Sequence, residues 1–289
     1  MTEPLVHFLV EALLAIRDGN RSRAIERCSA AMADPDALLP AALHTALTVA
    51  DRDDVYDAPA AFQAFIDGGS NRSLYDATIA AIRAEHRSLG TRALLDIGCG
   101  DGRVAHGVAP ATCIRLDLIE PSADLLAQAV ARCAVGGLPV VEHQGTLADA
   151  RQELDATRWD AAQSTFALHT IPPAERVEQL GWVRARTDAL LVAEFDVPGF
   201  GDRSEGHARY AVDRYERGLR EYAGDGGLVA QGFLMPVLIA QFDPDRERLT
   251  FEQPATAWID QLRAAGFTDV RTTALYDYWW APAQLFVAT

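Results

Sequence analysis

Residues 94–105 read Leu-Leu-Asp-Ile-Gly-Cys-Gly-Asp-Gly-Arg-Val-Ala, and no other stretch constrains the fold of this chain as tightly. A short apolar run of β type leads into Gly98, Gly100 and Gly102, and a helical pattern follows. Between a strand and a helix, a glycine-rich turn lets backbone N–H groups approach a nucleotide-like ligand. The spacing departs from the dinucleotide fingerprint G-x-G-x-x-G, because Arg103 stands where the third glycine would be. Asp96 ends the strand beside the loop, where a carboxylate repels a pyrophosphate and attracts a cation.

Glu120 adds to this. It lies at the end of the next expected strand, where an acidic side chain accepts both hydrogen bonds of a ribose diol. Pro121 then breaks the strand, and Ser122 can cap the following helix. S-adenosylmethionine suits such a site: it carries a ribose, an ammonium and a sulfonium, and no phosphate.

Around the loop the chain changes character twice. Helical periodicity covers 5–16, 21–33, 37–50, 58–66 and 72–89, with a polar run at 51–54. After Gly90, apolar runs of strand length (93–97, 113–119, 139–143, 159–165, 189–195) alternate with helical stretches (103–109, 122–134, 147–154, 173–186). That alternation implies a parallel sheet covered on both faces. It stops at about 198–250, which holds a polar, aromatic helix at 206–222 and an apolar run at 228–242 without a clean period. A helix at 254–265 and strands at 268–276 and 283–288 close the chain. The expected organisation is a helical region over 1–90, serving as lid or dimer surface, and an α/β domain over 91–289 with a cap insertion at about 198–250.

The composition excludes some functions. Across 289 residues the formal net charge is −15, which repels phosphate backbones and anionic lipid, so neither nucleic acid nor membrane is expected as a partner. The four cysteines form no close pair of the kind a zinc site uses, and no metal is expected. No apolar run reaches the ~20 residues of a membrane span, and no leader precedes the first helix, so the expectation is a soluble, cytoplasmic protein.

The motifs together resemble those of the class I S-adenosylmethionine-dependent methyltransferases. Residues 94–105 match that family's first motif and 116–122 its acidic strand end. Residues 159–169, Trp-Asp-Ala-Ala-Gln-Ser-Thr-Phe-Ala-Leu-His, resemble its fourth motif. The resemblance covers about 91–197 and 254–289. It implies a seven-stranded, mostly parallel Rossmann-like sheet with the last strand antiparallel, and S-adenosylhomocysteine as product. It also implies a cofactor site built from Asp96, Gly98, Gly100, Glu120, Pro121, Thr146, Leu147, Thr165 and Phe166. Asn71 and Tyr75, upstream of the first strand, would fold over the methionine end. One motif departs: the acid that often binds the adenine amino group is missing from His-Gln-Gly-Thr-Leu at 143–147, which leaves Thr146, Gln144 or a backbone group to supply that contact.

Methyl transfer from a sulfonium is an in-line displacement whose leaving group is already neutral, so the enzyme must align and desolvate the nucleophile and, for a hydroxyl or carbon acid, remove a proton. His169, Glu194 and His207 are the candidate catalytic residues. His169, Asp196, Tyr210 and Trp279 are the candidates for acceptor binding, with Tyr276, Tyr278 and Trp280 in the same aromatic stretch. An apolar, aromatic cap over an acidic sheet end suggests O-, N- or C-methylation of a small organic molecule, in secondary metabolism. The Asn/Asp-Pro-Pro-aromatic run of amino-methylating nucleic-acid enzymes is missing at 163–166. The competing expectations keep the cofactor but replace methyl transfer with other chemistry, or with binding alone. The apolar face of residues 4–17 suits a homodimer interface as well as a lid.

Overall fold

The computed structural model describes residues 1–49, 59–246, 248 and 250–289. The polar run at 51–54 and the helix ends expected at Ala50 and Ala58 lie outside the described residues. Along the chain come α1 (Glu3–Arg17), α2 (Arg21–Ala31), α3 (Leu39–Thr48), α4 (Pro59–Asp67), α5 (Asn71–Leu89), β1 (Ala93–Ile97), α6 (Arg103–Val108) and β2 (Arg115–Glu120). They are followed by α7 (Ala123–Val135), β3 (Val140–Gln144), α8 (Leu147–Glu153), β4 (Trp159–Thr165), a 3₁₀ turn (Leu168–Thr170), α9 (Pro173–Arg184) and β5 (Thr187–Phe195). Then come α10 (Glu205–Glu221), a π-helical turn (Ala230–Leu234), α11 (Met235–Phe242), α12 (Ala255–Ala264), β6 (Val270–Asp277) and β7 (Pro282–Ala288).

Two sets of segments pack separately. One unit gathers Met1–Arg72, Gly199–Leu249 and Tyr278–Ala281; the other gathers Ser73–Pro198, Thr250–Asp277 and Pro282–Thr289. The second holds a seven-stranded sheet in the order β3-β2-β1-β4-β5-β7-β6. The first five strands are mutually parallel, and β7 runs antiparallel to both β5 and β6. The fold class is the one the methyltransferase resemblance implies.

Period-two alternation sends side chains to two buried faces. Leu94, Leu116, Leu118, Ala161, Leu191 and Val287 share one core with Ile82 of α5 and residues of α6 and α7. Leu95, Ile97, Ile119, Leu190, Val192 and Phe286 share the other with α8, α9 and α12. The unit boundary falls between Arg72 and Ser73, whereas the change of sequence pattern comes at Gly90. The reason lies in α5, whose Tyr75, Ile79 and Ile82 recur at helical spacing and pack on the sheet's core.

In the helical unit, α1 buries Leu5, Leu9, Val10, Leu13 and Ile16. That face is covered by α2, α10 and α11 of the same chain, so the stripe read as a dimer surface is already occupied. The run 228–242 is helical. Its period is broken because the π-helical turn widens the helix just before Pro236, which lacks an N–H to donate backward.

Candidate functional site

In open parallel sheets the carboxyl ends of the strands, where successive loops leave on different sides, form the binding crevice. β1 and β2 bring Asp96 and Glu120 to that edge of the sheet unit, on the face shared with α5, α6 and α7. The loop between β1 and α6 adopts left-handed backbone at Gly98 (φ 70°) and Gly100 (φ 54°). The two glycines are needed for different reasons. A Cβ on Gly98 would lie 2.5 Å from Cβ of Ala167, so the chain itself fills that space. A Cβ on Gly100 would meet nothing within 4 Å, so there the loop faces open space.

Glu120 holds the loop in place. Its Oε2 accepts the Gly100 N–H at 3.0 Å, and its Oε1 accepts the Ser122 N–H at 3.0 Å. Each oxygen keeps a second acceptor site. Asp96 is more deeply placed, 2% exposed, and accepts from Gln163 Nε2 at 2.8 Å. Gln163 Oε1 lies 2.8 Å from His86 Nε2, and His86 Nδ1 lies 3.2 Å from Thr91 Oγ1. Burial pushes the Asp96 carboxyl up to about 7; the Gln163 hydrogen bond opposes the shift and the nearby charge of Glu120 adds to it. A cation placed here would lower the cost of ionising Asp96. His86 and Gln163 were not singled out from the sequence. The available signal was Gln163 itself, a polar residue inside an otherwise apolar strand.

The ends of β4 and β5 carry the rest. Thr165 Oγ1 is buried with no hydrogen-bond partner among the described residues. Phe166 adopts φ 51°, an uncommon conformation for a residue with a side chain, and its ring stacks on Phe195 at 4.7 Å and 14°. Tyr75 meets Phe166 edge-on at 6.1 Å, with the Arg103 guanidinium 5.2 Å from the tyrosine ring centroid. His169 sits in the 3₁₀ turn. Its backbone N–H donates to Glu194 Oε1 at 3.1 Å, and its Nδ1 lies 2.9 Å from Glu194 Oε2. Burial on its own lowers the imidazole, but the charge and hydrogen bond of Glu194, joined by Glu252, outweigh burial and the opposing Arg176 and push His169 up to about 8.

Other expected site residues are engaged elsewhere. Asp196 Oδ1 accepts the Ala255 N–H at 2.7 Å, so this carboxylate caps α12. Thr146 and Asp149 form a capping box at the start of α8, Leu147 is buried in the core, and the Gly145 N–H donates to Glu120 O at 3.1 Å. Pro121 is exposed at the end of β2. Asn71 belongs to the helical unit: its Nδ2 donates to Phe65 O at 2.6 Å and to Tyr222 Oη at 2.9 Å, and its Oδ1 accepts from Tyr278 at 2.9 Å. With both donors and an acceptor spent on its own unit, it serves packing where cofactor contact was expected. His207, Tyr210 and Trp279 also fall in that unit. His207 packs between Phe200 and Phe242, Tyr210 donates to Trp280 O at 2.7 Å, and Trp279 packs on Tyr215 with its own Nε1 buried and without a hydrogen-bond partner among the described residues.

Comparison with known proteins bears on the fold and the family of this unit. Residues 94–186 match the family model described as a methyltransferase domain. Magnesium protoporphyrin IX methyltransferase from Synechocystis PCC 6803, solved with bound SAH, is 14% identical, with a TM-score of 0.52 over 81% of this chain and 96% of that one. SCL7 of Oryza sativa is 9% identical, with a TM-score of 0.71 over 100% of both chains. At these identities the likeness is one of fold. No curated protein matches the sequence.

Proposed function

We propose that this chain methylates a small organic acceptor with S-adenosylmethionine; the match of residues 94–186 to a methyltransferase-domain model and the resemblance of its motifs to the class I family support this reading. One observation carries the cofactor assignment: two carboxylates, Asp96 and Glu120, flank a loop that opens to free space at Gly100. In this reading Glu120 takes the ribose hydroxyls on its remaining acceptor sites, and Asp96 faces the cationic methionine end. Gly98 and Gly100 keep the loop low enough for contact. Thr165 supplies an uncommitted hydroxyl, and Tyr75 and Phe166 supply an apolar wall. Pro121 and the backbone at 145–147 border the adenine.

S-adenosylmethionine, when bound, supplies an electrophilic methyl group on a sulfonium that departs as a neutral thioether. The chain's own part is to hold that end by charge, to keep water away with Tyr75, Phe166 and Phe195, and to present the acceptor in line. The aromatic wall and the acidic sheet edge favour a neutral or cationic small molecule over a polyanion.

Calorimetry tests the cofactor. S-adenosylmethionine should bind, and Asp96→Asn and Glu120→Gln should each weaken it by ~1–3 kcal/mol through lost charge-assisted contacts. Equal affinity in either variant removes that residue from the site. Product analysis tests the reaction, which must yield S-adenosylhomocysteine and a methylated acceptor in equal amounts.

A further inference from the structure

A line of buried polar side chains runs from α5 to the cofactor loop within the sheet unit. Asp96 and Gln163 are partners in the parallel register of β1 and β4, so their side chains leave the sheet side by side on one face. Leu94, Ala161 and Leu191 make that face apolar. α5 lies over it, with Ile82 buried there and His86 one turn further along. The helix ends at Leu89, and the N–H of Thr91 donates back to His86 O at 3.0 Å. His86, Thr91 and Gln163 are fully buried, and Asp96 nearly so. Polar groups among apolar ones are costly unless each finds a partner. Here they find one another in sequence: Thr91 Oγ1 to His86 Nδ1 at 3.2 Å, His86 Nε2 to Gln163 Oε1 at 2.8 Å, and Gln163 Nε2 to Asp96 Oδ2 at 2.8 Å. Asp96 Oδ1 has no hydrogen-bond partner among the described residues.

The direction of every bond follows from the last member. An ionised carboxylate only accepts, so Gln163 turns its N–H to Asp96 and its Oε1 to His86. An amide oxygen only accepts too, so His86 Nε2 carries the hydrogen, Nδ1 is a lone pair, and the Thr91 hydroxyl donates to it. Burial holds the His86 imidazole below its ordinary range, which keeps Nδ1 free to accept. A proton on Asp96 reverses the whole line. The carboxyl then donates to Gln163 Oε1, the amide N–H to His86 Nε2, and His86 Nδ1–H to Thr91 Oγ1. One proton enters from solvent at Asp96, and the imidazole hydrogen moves from Nε2 to Nδ1 by exchange with solvent.

We propose that Gln163 and His86 are positioning residues of the cofactor site: the Nε2-protonated tautomer of His86 holds the Gln163 amide with its N–H on Asp96, so that Asp96 meets the cationic end of S-adenosylmethionine as an acceptor. The inference rests on the methyl-transfer reading above and adds to it what orients the carboxylate. Neither residue touches the ligand in this reading; both act through Asp96. The titratable groups near Asp96 are Glu120 of β2, Cys99 of the loop and Cys133 of α7. Near His86 is Glu85 of α5, itself paired with Arg271 of β6.

Two measurements on the full chain test this. With labelled histidine and bound S-adenosylhomocysteine at about pH 8, nuclear magnetic resonance should show a neutral His86 ring with its hydrogen on Nε2, the signals being assigned by their loss in His86→Gln. In titration calorimetry, the Kd for S-adenosylmethionine should rise ~10-fold in Gln163→Leu and in His86→Leu. The pH above which binding strengthens should move up by about one unit in Gln163→Leu, because Asp96 loses the donor that favours its charge. His86→Gln keeps an N–H donor for the Gln163 oxygen and should bring Kd back to within ~threefold of wild type. A bound-state ring protonated on Nδ1 overturns the proposal from the wild-type protein alone, even if the variants fail to fold. Unchanged Kd and pH profile in Gln163→Leu overturn it and leave methyl transfer standing. A loss in His86→Leu that His86→Gln does not restore makes the histidine a packing residue and overturns it too. Absence of S-adenosylmethionine binding by the wild type overturns the methyl-transfer reading, and this inference with it.

Discussion

Gln163 donates to Asp96 at 2.8 Å while its carbonyl oxygen lies 2.8 Å from His86 Nε2, so the carboxylate at the cofactor loop is tied through β4 to the buried face of α5. Asp96 is raised to about 7 by burial. In the unfolded chain it titrates near 3.9. Between those values the folded form holds a proton that the unfolded form has lost, so this group's contribution to stability falls as pH rises from about 4 to about 7 and stays low above that. The difference is on the order of 3–4 kcal/mol at most. Asp96→Asn should therefore melt higher than wild type at pH 8 and similarly to it at pH 4, as scanning calorimetry would read. Parallel pH profiles for the two proteins would contradict the assignment.

The same shift gives cofactor binding a pH dependence. Below about 7, Asp96 is protonated in the free protein and offers no charge to a cationic ligand. Affinity for S-adenosylmethionine should rise with pH through that region. The slope should be absent in Asp96→Asn when measured by titration calorimetry in buffers of different ionisation enthalpy.

The glycines of the loop should separate by phenotype. Gly98→Ala forces a Cβ onto Ala167 at 2.5 Å and should lower the melting temperature sharply. Gly100→Ala bears only the left-handed backbone cost of about 1 kcal/mol, since nothing of the protein lies within 4 Å. It should fold yet lose the thermal shift that S-adenosylhomocysteine gives the wild type. A full shift in Gly100→Ala would mean that the cofactor lies elsewhere.

Glu216 of α10 makes a prediction for the helical unit. Its carboxylate accepts the N–H groups of Leu38 and Leu39 at 3.0 and 2.8 Å and pairs with Arg220. Glu216→Ala leaves buried donors at the start of α3 unpaired and should cost about 2–3 kcal/mol in urea unfolding. Faster hydrogen exchange at Leu38 and Leu39 than in wild type would localise the loss.

The sheet was legible because β1, β2, β4 and β5 are buried along nearly their whole length and so read as short apolar runs between helical stretches, while the more exposed edge strand β3 was marked by its place in the alternation. The positions of Asp96 and Glu120 at the ends of β1 and β2 were legible because a charge that ends such a run stands out. The surroundings of Asn71 were not legible: an asparagine at a helix start looks the same whether it caps, packs or binds, and its partners Tyr222 and Tyr278 are distant in sequence. Asp196 reads as a site acid for the same reason, since Ala255, whose N–H it caps, lies beyond the whole insertion. The helical nature of 228–242 was hidden by the π-helical turn, which shifts the apolar positions off a 3.6-residue period.

The antiparallel seventh strand has a consequence for the order in which the molecule is made. β5 finds its second neighbour only in β7, where Phe195 pairs with Ala283 across the whole insertion, α12 and β6. At ribosomal speeds of ~5–20 residues per second, the nascent sheet keeps β5 as a bare edge for several seconds while the insertion, α12 and β6 emerge. Closure of the sheet thus waits for residues 282–288, and a ribosome that stops short of residue 282 releases a sheet with an unpaired apolar edge, the kind of surface on which chains aggregate.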